Sequence, residues 1–343
     1  MNDVKTRNFR VSKYLIIFLF PLLSISCEKT LPSVTRPALG TVCTITLYDK
    51  GKQTVYNQIF NRLNEIEQHL SVNISSSDIA QINEKAGIEP VRVHEDTLSI
   101  LITALNFAYK TDGAFNPAIG PLVSLWGIGR ENARLPTQEE IEGQKALIDY
   151  TKIIIDGEKS TVYLPVKGMK LDTGGITKGY AADEVVRIMK ENKISRGLVD
   201  LGGNVYVVGI KADGSKWRVG VKNPFDSTGT PLIRVDVENA TIVTSGVYER
   251  FFIQEGIRYH HLLDSKTGYP VNNGLQSVTI ITTSSIIADA LSTAVFVLGK
   301  EKGIGLLEEM GISGFCVTDD KKIKATKGLE SSIALLIDGF EFE

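Results

Sequence analysis

Asp289 and Thr293 are the two side chains of this sequence whose types and spacing most directly suggest chemistry. They lie four residues apart in the mostly apolar segment 284–299, SSIIADALSTAVFVLG. Residues four apart project from the same face of a helix, and we expect part of this helix to be buried. A buried carboxylate needs a cation or several hydrogen-bond donors, and carboxylate, hydroxyl and main-chain oxygens are the ligands of a hard divalent metal. From this segment alone a structural role is favoured, in which Asp289 lies in the first turn of this helix and accepts its free N–H groups, and Thr293 bonds back to the carbonyl one turn earlier.

A glycine pair precedes a second predicted helix, and it offers a place for phosphate. The segment LDTGG (171–175) leads through Lys178 into an amphipathic pattern over about 180–191. The N-terminus of a helix presents free N–H groups and a positive dipole end, which favour anions. The sequence contains neither GxxxxGK[ST] nor GxGxxG, so the phosphate interpretation has no fingerprint to support it. A related segment, VDLGG (199–203), leaves another predicted strand. Two tight turns explain the glycine pairs equally well.

His261 is the best candidate for an acid or base. It alternates with Leu263 along a predicted strand that ends in a turn begun by Asp264. A histidine at such a place can move protons or position a ligand, although it more often hydrogen-bonds the turn. Upstream, Arg250 ends the polar segment TSGVYER (244–250) and suits a phosphate or carboxylate, but a solvated turn is the favoured interpretation there. The segment GAFNP (113–117) predicts either a slot for a flat ring or, more commonly, a corner of the core.

The elements that must position these residues indicate a single α+β domain. Residues 41–48 alternate like a strand, and an amphipathic helix follows, with apolar residues at 55, 59, 63, 66 and 70. A second helix is predicted over 96–110, with Leu98, Leu101, Leu105 and Ala108 facing inward. Thr137 and Glu140 form the pattern of a capping box. Strands then dominate from 153 to 263 without a regular βαβ alternation, which favours α+β over a doubly wound fold.

The N-terminus resembles a bacterial secretion signal. Four basic residues precede the apolar stretch 14–25, which is too short to span a bilayer stably. Cys27 follows a small residue, as does the lipidated cysteine of a lipoprotein, so we predict a signal segment over 1–27, a tether over 28–37 and the functional domain over 38–343. The domain would then be anchored by lipid to a bacterial membrane, on the periplasmic side. An ordinary cleaved signal and an uncleaved anchor remain alternatives.

Composition limits the classes of function. The chain is 43% hydrophobic and 23% charged, which is typical of a globular enzyme. Its formal net charge of −2 and its few basic runs argue against a nucleic-acid partner. Cys43 and Cys316 are predicted to be buried thiols that could form one disulfide, and no C-x-x-C pair or zinc spacing is present.

Six ordered segments together resemble the ApbE-type flavin transferases, enzymes that move FMN from FAD onto a protein. The similarity runs from Leu39 to Ala294, and its strongest segments are LDTGGITKGYAADE, VDLGGNVYVVG, WRVGVKNP, TSGVYERF, HHLLDSKTGYPV and ADALSTAVFVLG. The resemblance implies one α+β domain of two closely packed lobes with mixed or antiparallel sheets, and FAD in the groove between them. It also implies a Ser or Thr hydroxyl of an acceptor flavoprotein of membrane electron transport as the nucleophile, with AMP as the leaving group.

The resemblance assigns roles residue by residue. Mg²⁺ would be held by Asp289, Thr293 and the backbone carbonyl of Gly175, with Asp289 and His261 as the catalytic residues. The implied FAD contacts are Leu39, Asn73, Ala114, Phe115, Asn116, Asp172, Lys178 and Leu263.

Three of these positions depart from the family pattern. Leu39 stands where Met is common, Asn116 where Asp is frequent, and Asn73 where an aromatic ring usually stacks on the flavin. Loss of that stacking would remove on the order of 1 kcal/mol of flavin binding. Two alternatives to the transferase therefore stay open: a Mg²⁺-dependent FAD pyrophosphatase giving FMN and AMP, and a periplasmic FAD-binding lipoprotein without chemistry.

Overall fold

The structure is a computed structural model that describes residues 33–49 and 53–343. The predicted signal segment 1–27, including Cys27, and residues 28–32 of the predicted tether lie outside the described residues. Within the described residues no helix combines the length and the apolar character needed to cross a membrane.

The helices of the described residues are α1 Gln53–Leu70, α2 Asp78–Glu84, α3 Glu95–Lys110, α4 Gly120–Trp126, α5 Gln138–Lys145, α6 Thr177–Glu191, α7 Ser285–Leu298 and α8 Lys300–Glu309. The strands are β1 Val34–Ala38, β2 Thr41–Leu47, β3 Val91–Arg92, β4 Ile154–Asp156, β5 Thr161–Tyr163, β6 Gly197–Leu201, β7 Asn204–Val208, β8 Trp217–Lys222, β9 Pro231–Val237, β10 Ala240–Gly246, β11 Phe251–Gln254, β12 Ile257–His260, β13 Leu275–Thr282, β14 Ser313–Thr318, β15 Lys322–Ala325, β16 Ile333–Leu335 and β17 Glu341–Phe342.

One large sheet organises the molecule. Among the described residues it has nine strands in the order β1-β2-β6-β7-β10-β13-β14-β15-β17. Every neighbouring pair is antiparallel except β15 and β17, which are parallel. Three smaller sheets, β16-β9-β8, β3-β5-β4 and β11-β12, complete the fold. The predicted α+β class with mixed and antiparallel sheets is confirmed.

The large sheet is buried on both faces. Along β10, Val243 belongs to the core beneath the helices, whereas Ile242 belongs to a separate core that contains residues of β8 and β9. Neighbouring strand residues point to opposite faces, so α1, α6 and α7 cover one face and the sheet β16-β9-β8 covers the other. A third apolar cluster surrounds Trp126 and includes residues of α4, α5 and the hairpin β11-β12. The catalytic candidates therefore sit where helices, large sheet and hairpin meet.

Several predicted elements are confirmed with their inner faces. In α1, Val55, Ile59, Leu63, Ile66 and Leu70 are all buried, as their spacing predicts. The capping box is formed at α5, where the Thr137 hydroxyl accepts the N–H of Glu140 and the Glu140 carboxylate accepts the N–H of Thr137.

Helix α3 is rotated relative to the prediction. Leu101 and Ala108 are buried, but Leu98 and Leu105 are only half-buried, and Ile100 and Ala104 complete the inner face instead. Asp96 also faces inward, because its carboxylate accepts bonds from Arg62 and Tyr180. A buried ion network thus decides the orientation that apolar spacing left open.

The folded domain begins earlier than the predicted boundary at residue 38. Residues 34–37, which we assigned to the tether, belong to β1 and pair with β2. The prolines at 32 and 37 suggested a linker, but β1 is an edge strand, where a proline removes no necessary ladder bond. Helix α6 likewise begins at Thr177, three residues before the predicted start.

The two described cysteines are not paired. Cys43 and Cys316 are both buried and free, so the disulfide that the sequence allowed is absent. Burial raises the pKa of Cys43 to about 11 and that of Cys316 to about 12. Both thiols therefore stay protonated and pack in the core. Their predicted burial is confirmed.

Candidate active site

The site is built around the crossing of α6 and α7, whose first turns are joined by two carboxylates. Asp289 Oδ2 on α7 accepts the main-chain N–H of Gly179 in the first turn of α6, at 2.9 Å. In return, Asp183 on α6 accepts the N–H groups of Ser285 and Ile286 at the start of α7, at 2.8 and 3.0 Å. Each helix thus satisfies N–H groups that the other helix leaves unpaired.

Gly179 allows this crossing to be so close. A Cβ at this position would lie 2.3 Å from the carbonyl oxygen of Ser285 and 2.7 Å from the Cα of Ile286. No side chain fits there without moving α7. The glycine therefore brings the Asp289 carboxylate against the first turn of α6.

Asp289 does accept a free N–H group at the start of a helix, as its structural interpretation predicts, but that helix is α6 and not its own helix α7. Asp289 lies in the second turn of α7, which begins at Ser285, and the N–H group that it accepts belongs to α6. Thr293 makes no bond to a carbonyl one turn earlier, and it is Ser292 that donates to the carbonyl of Asp289, at 2.9 Å. Thr293 therefore keeps its hydroxyl free of protein partners within residues 33–49 and 53–343.

The residues around Asp289 fit a hard divalent cation. The Asp289 side chain is only 4% exposed, and burial raises its pKa, partly offset by the positive charge of Lys178. No ion pair within 4 Å compensates its charge in the described part of the chain. A Cβ on Gly175 would lie 3.2 Å from Thr293 Oγ1, so the glycine leaves open a space beside that hydroxyl. A buried carboxylate without an ion-pair partner, a free hydroxyl one helical turn away and a glycine beside that hydroxyl therefore form a ligand set that suits such a cation.

His261 enters the site at the end of the hairpin β11-β12. Its N–H donates to the carbonyl of Arg250 at 3.1 Å, and its Nδ1 lies 3.3 Å from the same oxygen. A carbonyl oxygen only accepts, so Nδ1 carries the hydrogen and Nε2 is left as the acceptor. Burial, reinforced by the charge of Arg250, lowers the pKa of His261 to about 4. The imidazole is therefore neutral at physiological pH.

The predicted flavin segment 114–116 lies beside the glycine pair. Phe115 is buried, and its Cε2 would be 3.2 Å from a Cβ on Gly175. The N–H of Asp172 donates to the carbonyl of Pro117 at 2.9 Å, which joins the two loops. Asn116 caps its own turn, because its Oδ1 accepts the N–H of Ala118 at 3.0 Å. Ala114, which precedes them, is half-buried.

Asp172 is the second carboxylate of this region. Its Oδ1 accepts the N–H of Gly174 at 2.8 Å. Burial raises its pKa, and the positive charges of Arg130 and Arg250 oppose that rise. Arg250 is thus more than the solvated turn residue that the sequence favoured, because its charge acts on Asp172 and its carbonyl holds His261.

The remaining predicted contacts lie at the margins. Leu39 occupies the turn between β1 and β2 with a φ of +54°, and its N–H donates to Glu67 at 2.9 Å. Leu263 is buried in the Trp126 cluster. Asn73 is exposed in the turn after α1. No hydrogen bond or ion pair of the described residues connects Asn73 with the group around Asp289.

Glu249 is a further charged residue of the site that the sequence did not single out. Glu249 is exposed at the surface. The groups packed around its carboxyl exclude water and raise its pKa, the charges of Lys178 and Arg250 lower that pKa, and the charge of Asp289 raises it further. Lys178 thus acts on both Asp289 and Glu249, and the three charged groups share one region. The only available signal was the position of Glu249 next to Arg250 in the segment 244–250.

The chain is similar in sequence and in fold to proteins of a known family. Residues 39–316 match the family model described as the ApbE family. The FAD:protein FMN transferase of Treponema pallidum (strain Nichols) is 36% identical over 323 residues, which cover 89% of each chain. The crystal structure of the ApbE protein of Thermotoga maritima MSB8 is 34% identical, has a TM-score of 0.81 and covers 88% of this chain and 98% of its own. The flavin transferase ApbE of Vibrio cholerae, with 27% identity over 88% of this chain and 98% of its own, has a TM-score of 0.79. The chain therefore belongs to the ApbE family.

Proposed function

We propose that the protein transfers FMN from FAD to a Ser or Thr hydroxyl of an acceptor flavoprotein and releases AMP. Relatives that are named FAD:protein FMN transferases support this assignment. The observation that carries it is the buried Asp289 carboxylate, which has no ion-pair partner among the described residues and lies one helical turn from Thr293, whose hydroxyl borders Gly175. A divalent cation bound between this carboxylate and the pyrophosphate of FAD would supply the positive charge that the arrangement lacks.

Mg²⁺ is the proposed cation, and Asp289, Thr293 and the carbonyl of Gly175 would hold it. Bound there, Mg²⁺ would neutralise the pyrophosphate oxygens and the charge that develops on the leaving AMP. Only one of the three protein ligands is charged. Mg²⁺ usually binds through one or two carboxylates and the phosphates of a substrate, so this ligand set suits the role.

FAD would lie across the region between α6, the loop 113–117 and the hairpin β11-β12. Lys178 in the first turn of α6 provides a positive charge for the pyrophosphate. Phe115, Leu263 and Leu39 offer apolar surface for the flavin half. Asp172 and Asn116 offer hydrogen-bonding groups at its edge, and Ala114 leaves space beside them.

The reaction forms one bond at phosphorus and breaks another. The acceptor hydroxyl oxygen bonds to the phosphorus of the FMN half, the bond from that phosphorus to the bridging oxygen breaks, and AMP leaves with that oxygen. The hydroxyl proton must go to a base. His261 suits this role because it is neutral and its Nε2 is free to accept.

The proposed location is the periplasmic face of a bacterial membrane, with Cys27 lipidated. The basic residues before the apolar stretch 14–25 and the small residue before Cys27 support it. An acceptor flavoprotein of membrane electron transport would be within reach of such an anchor. Metabolic labelling with palmitate, with Cys27→Ala as the control, tests the anchor independently of the activity.

The central test is incubation of the purified protein with FAD and Mg²⁺, with and without a candidate acceptor domain. A transferase yields AMP together with an FMN mass increase on the acceptor. AMP and free FMN at the same rate without acceptor would instead establish the pyrophosphatase, which the exposed Asn73 favours because it provides no ring to retain the flavin. Intact FAD after prolonged incubation with Mg²⁺ and acceptor would refute both and leave a binding protein.

A further inference from the structure

The hairpin β11-β12 is a small sheet of its own that ends at the candidate active site. Its strands are joined by Glu255 and Gly256, both with positive φ, at +52° and +78°. The residue before β11 is Arg250 and the residue after β12 is His261, and these two are hydrogen-bonded. The hairpin is thus a direct extension of the site toward the surface.

The two faces of the hairpin are packed to different extents. Phe252 and Tyr259 lie side by side and contact Trp126, with ring centroids 6.4 and 5.5 Å from it. Their neighbours Phe251 and Ile253 point to the opposite face, because strand residues alternate. Phe251 is 39% exposed and Ile253 is 60% exposed. His260 shares this face and is buried, and the Arg258 guanidinium lies 4.6 Å from the centroid of the Phe251 ring. The open part of this face is therefore centred on Ile253.

One edge of the hairpin is also unpaired. The carbonyl of Arg250 faces β12, where it accepts the N–H of His261. Main-chain groups alternate along a strand, so those of Phe251 and Ile253 face away from β12. They have no main-chain partner among residues 33–49 and 53–343. On the other side of the hairpin, the chain that follows β12 is covered, since the N–H of Val271 donates to the carbonyl of Leu262 at 2.9 Å.

We propose that the acceptor protein binds as an added strand on the free edge of β11, through the main-chain groups of Phe251 and Ile253. This inference rests on the proposed function, which requires a polypeptide hydroxyl in the site. An extended segment paired there meets the exposed apolar side chains of β11 and leads toward Arg250 and His261. Its Ser or Thr is delivered by main-chain pairing, so many acceptor sequences fit the edge.

The acceptor is favoured over a second copy of this chain because of where the edge leads. A second copy paired at this edge would stand across the path to His261 and exclude the substrate hydroxyl. Natural proteins normally protect their edge strands from pairing with other chains. An edge left open beside a reactive centre is explained when the substrate itself pairs with it.

The test uses Ile253→Pro, which removes the outward N–H from an edge position that tolerates proline. The matched control is Ile253→Ala, which loses the apolar side chain but keeps that N–H. The probe is a membrane extract from cells of the source organism that lack this gene. It is incubated with enzyme, FAD and Mg²⁺, and covalent flavin is followed as fluorescent bands in a denaturing gel.

We expect Ile253→Pro to label the bands at least about tenfold more slowly than Ile253→Ala, with FAD affinity equal to that of the wild type. Equal labelling by the two variants would overturn the edge proposal. If Ile253→Pro does not fold, Ile253→Asp replaces it, because a charged side chain on an edge strand opposes the addition of another strand and should slow labelling relative to Ile253→Ala. Labelling by Ile253→Asp as fast as by Ile253→Ala would overturn the proposal equally.

Two further outcomes are distinguished. Absence of labelled bands with the wild-type enzyme, despite FAD binding, would count against the proposed transferase rather than against the edge alone. A wild-type dimer that Ile253→Pro converts to a monomer without slowing the labelling would assign the edge to a second copy and overturn the proposal.

Discussion

Asp183 on α6 and Asp289 on α7 accept main-chain N–H groups from the first turn of each other's helix. The two carboxylates are chemically alike, but their surroundings differ. Asp183 accepts two N–H groups and lies close to the Ser284 hydroxyl, at 3.3 Å. Asp289 accepts the N–H of Gly179 and lies one helical turn from Thr293, whose hydroxyl borders Gly175. Asp183 therefore acts only as a helix cap, whereas Asp289 caps a helix and is also the proposed ligand of the cation.

This pair provides a matched test of the cation site. We expect Asp289→Asn to lower Mg²⁺-dependent AMP release from FAD by at least about a hundredfold, because several kcal/mol of charge stabilisation would be lost. Asp183→Asn should leave AMP release within about threefold of wild type and reduce stability by about 1 kcal/mol, the usual value of a cap. AMP is followed by chromatography across a range of Mg²⁺ concentrations, and stability by urea unfolding. Equal loss of AMP release in both variants would show that Asp289 acts, like Asp183, only as a helix cap.

The close crossing at Gly179 predicts a stability effect. Gly179→Ala forces α7 away from α6, because its Cβ would lie 2.3 Å from the carbonyl oxygen of Ser285. We expect a loss of about 1–3 kcal/mol in the free energy of unfolding. The control is Gly305→Ala in the exposed interior of α8, where a Cβ has nothing within 4 Å. That variant should gain up to about 1 kcal/mol from helix propensity. A Gly179→Ala protein as stable as wild type would contradict the crossing.

Substitution of Asn73 by an aromatic residue should change the affinity for FAD in a defined direction. Asn73→Tyr supplies the ring that the family pattern places at this position, so FAD affinity should rise by about 0.5–1.5 kcal/mol, or about two- to tenfold. Asn73→Ala is the control and should leave the affinity near the wild-type value. Quenching of flavin fluorescence during titration measures both variants. Unchanged affinity in Asn73→Tyr would show that residue 73 does not face the flavin in this chain.

His261 predicts a pH dependence without an inflection near pH 6.5. Because its pKa is lowered to about 4, the imidazole stays neutral from neutral pH down to about pH 5 and gains its proton only below that. If His261 acts as the base, its protonation removes activity, so the catalytic contribution of His261 disappears below about pH 4. NMR titration of the imidazole resonances checks the pKa directly. Arg250→Gln removes a neighbouring positive charge, so it should raise the pKa of His261. An inflection near pH 6.5 in the wild type would contradict the lowered pKa of His261.

The secondary structure could largely be predicted because its determinants are local. The apolar spacing of α1 and the capping box of α5 depend on residues within one or two turns. The orientation of α3 could not be predicted in the same way, since Arg62 and Tyr180 come from distant segments to bind Asp96. The start of the domain at β1 was missed because pairing with β2 overrides the prolines that suggested a linker.

For the site, the sequence by itself determined that Asp289 and Thr293 share a helix face and that Gly175 and Lys178 lie at the start of a helix. Only the tertiary structure decided that these two helices cross, that Asp289 caps the neighbouring helix, and that Glu249 and Arg250 lie in the same region. The physical reason is range. Helical periodicity acts over a few residues, whereas the burial of a carboxylate and the charges acting on it depend on segments more than a hundred residues apart, such as Gly179 and Asp289.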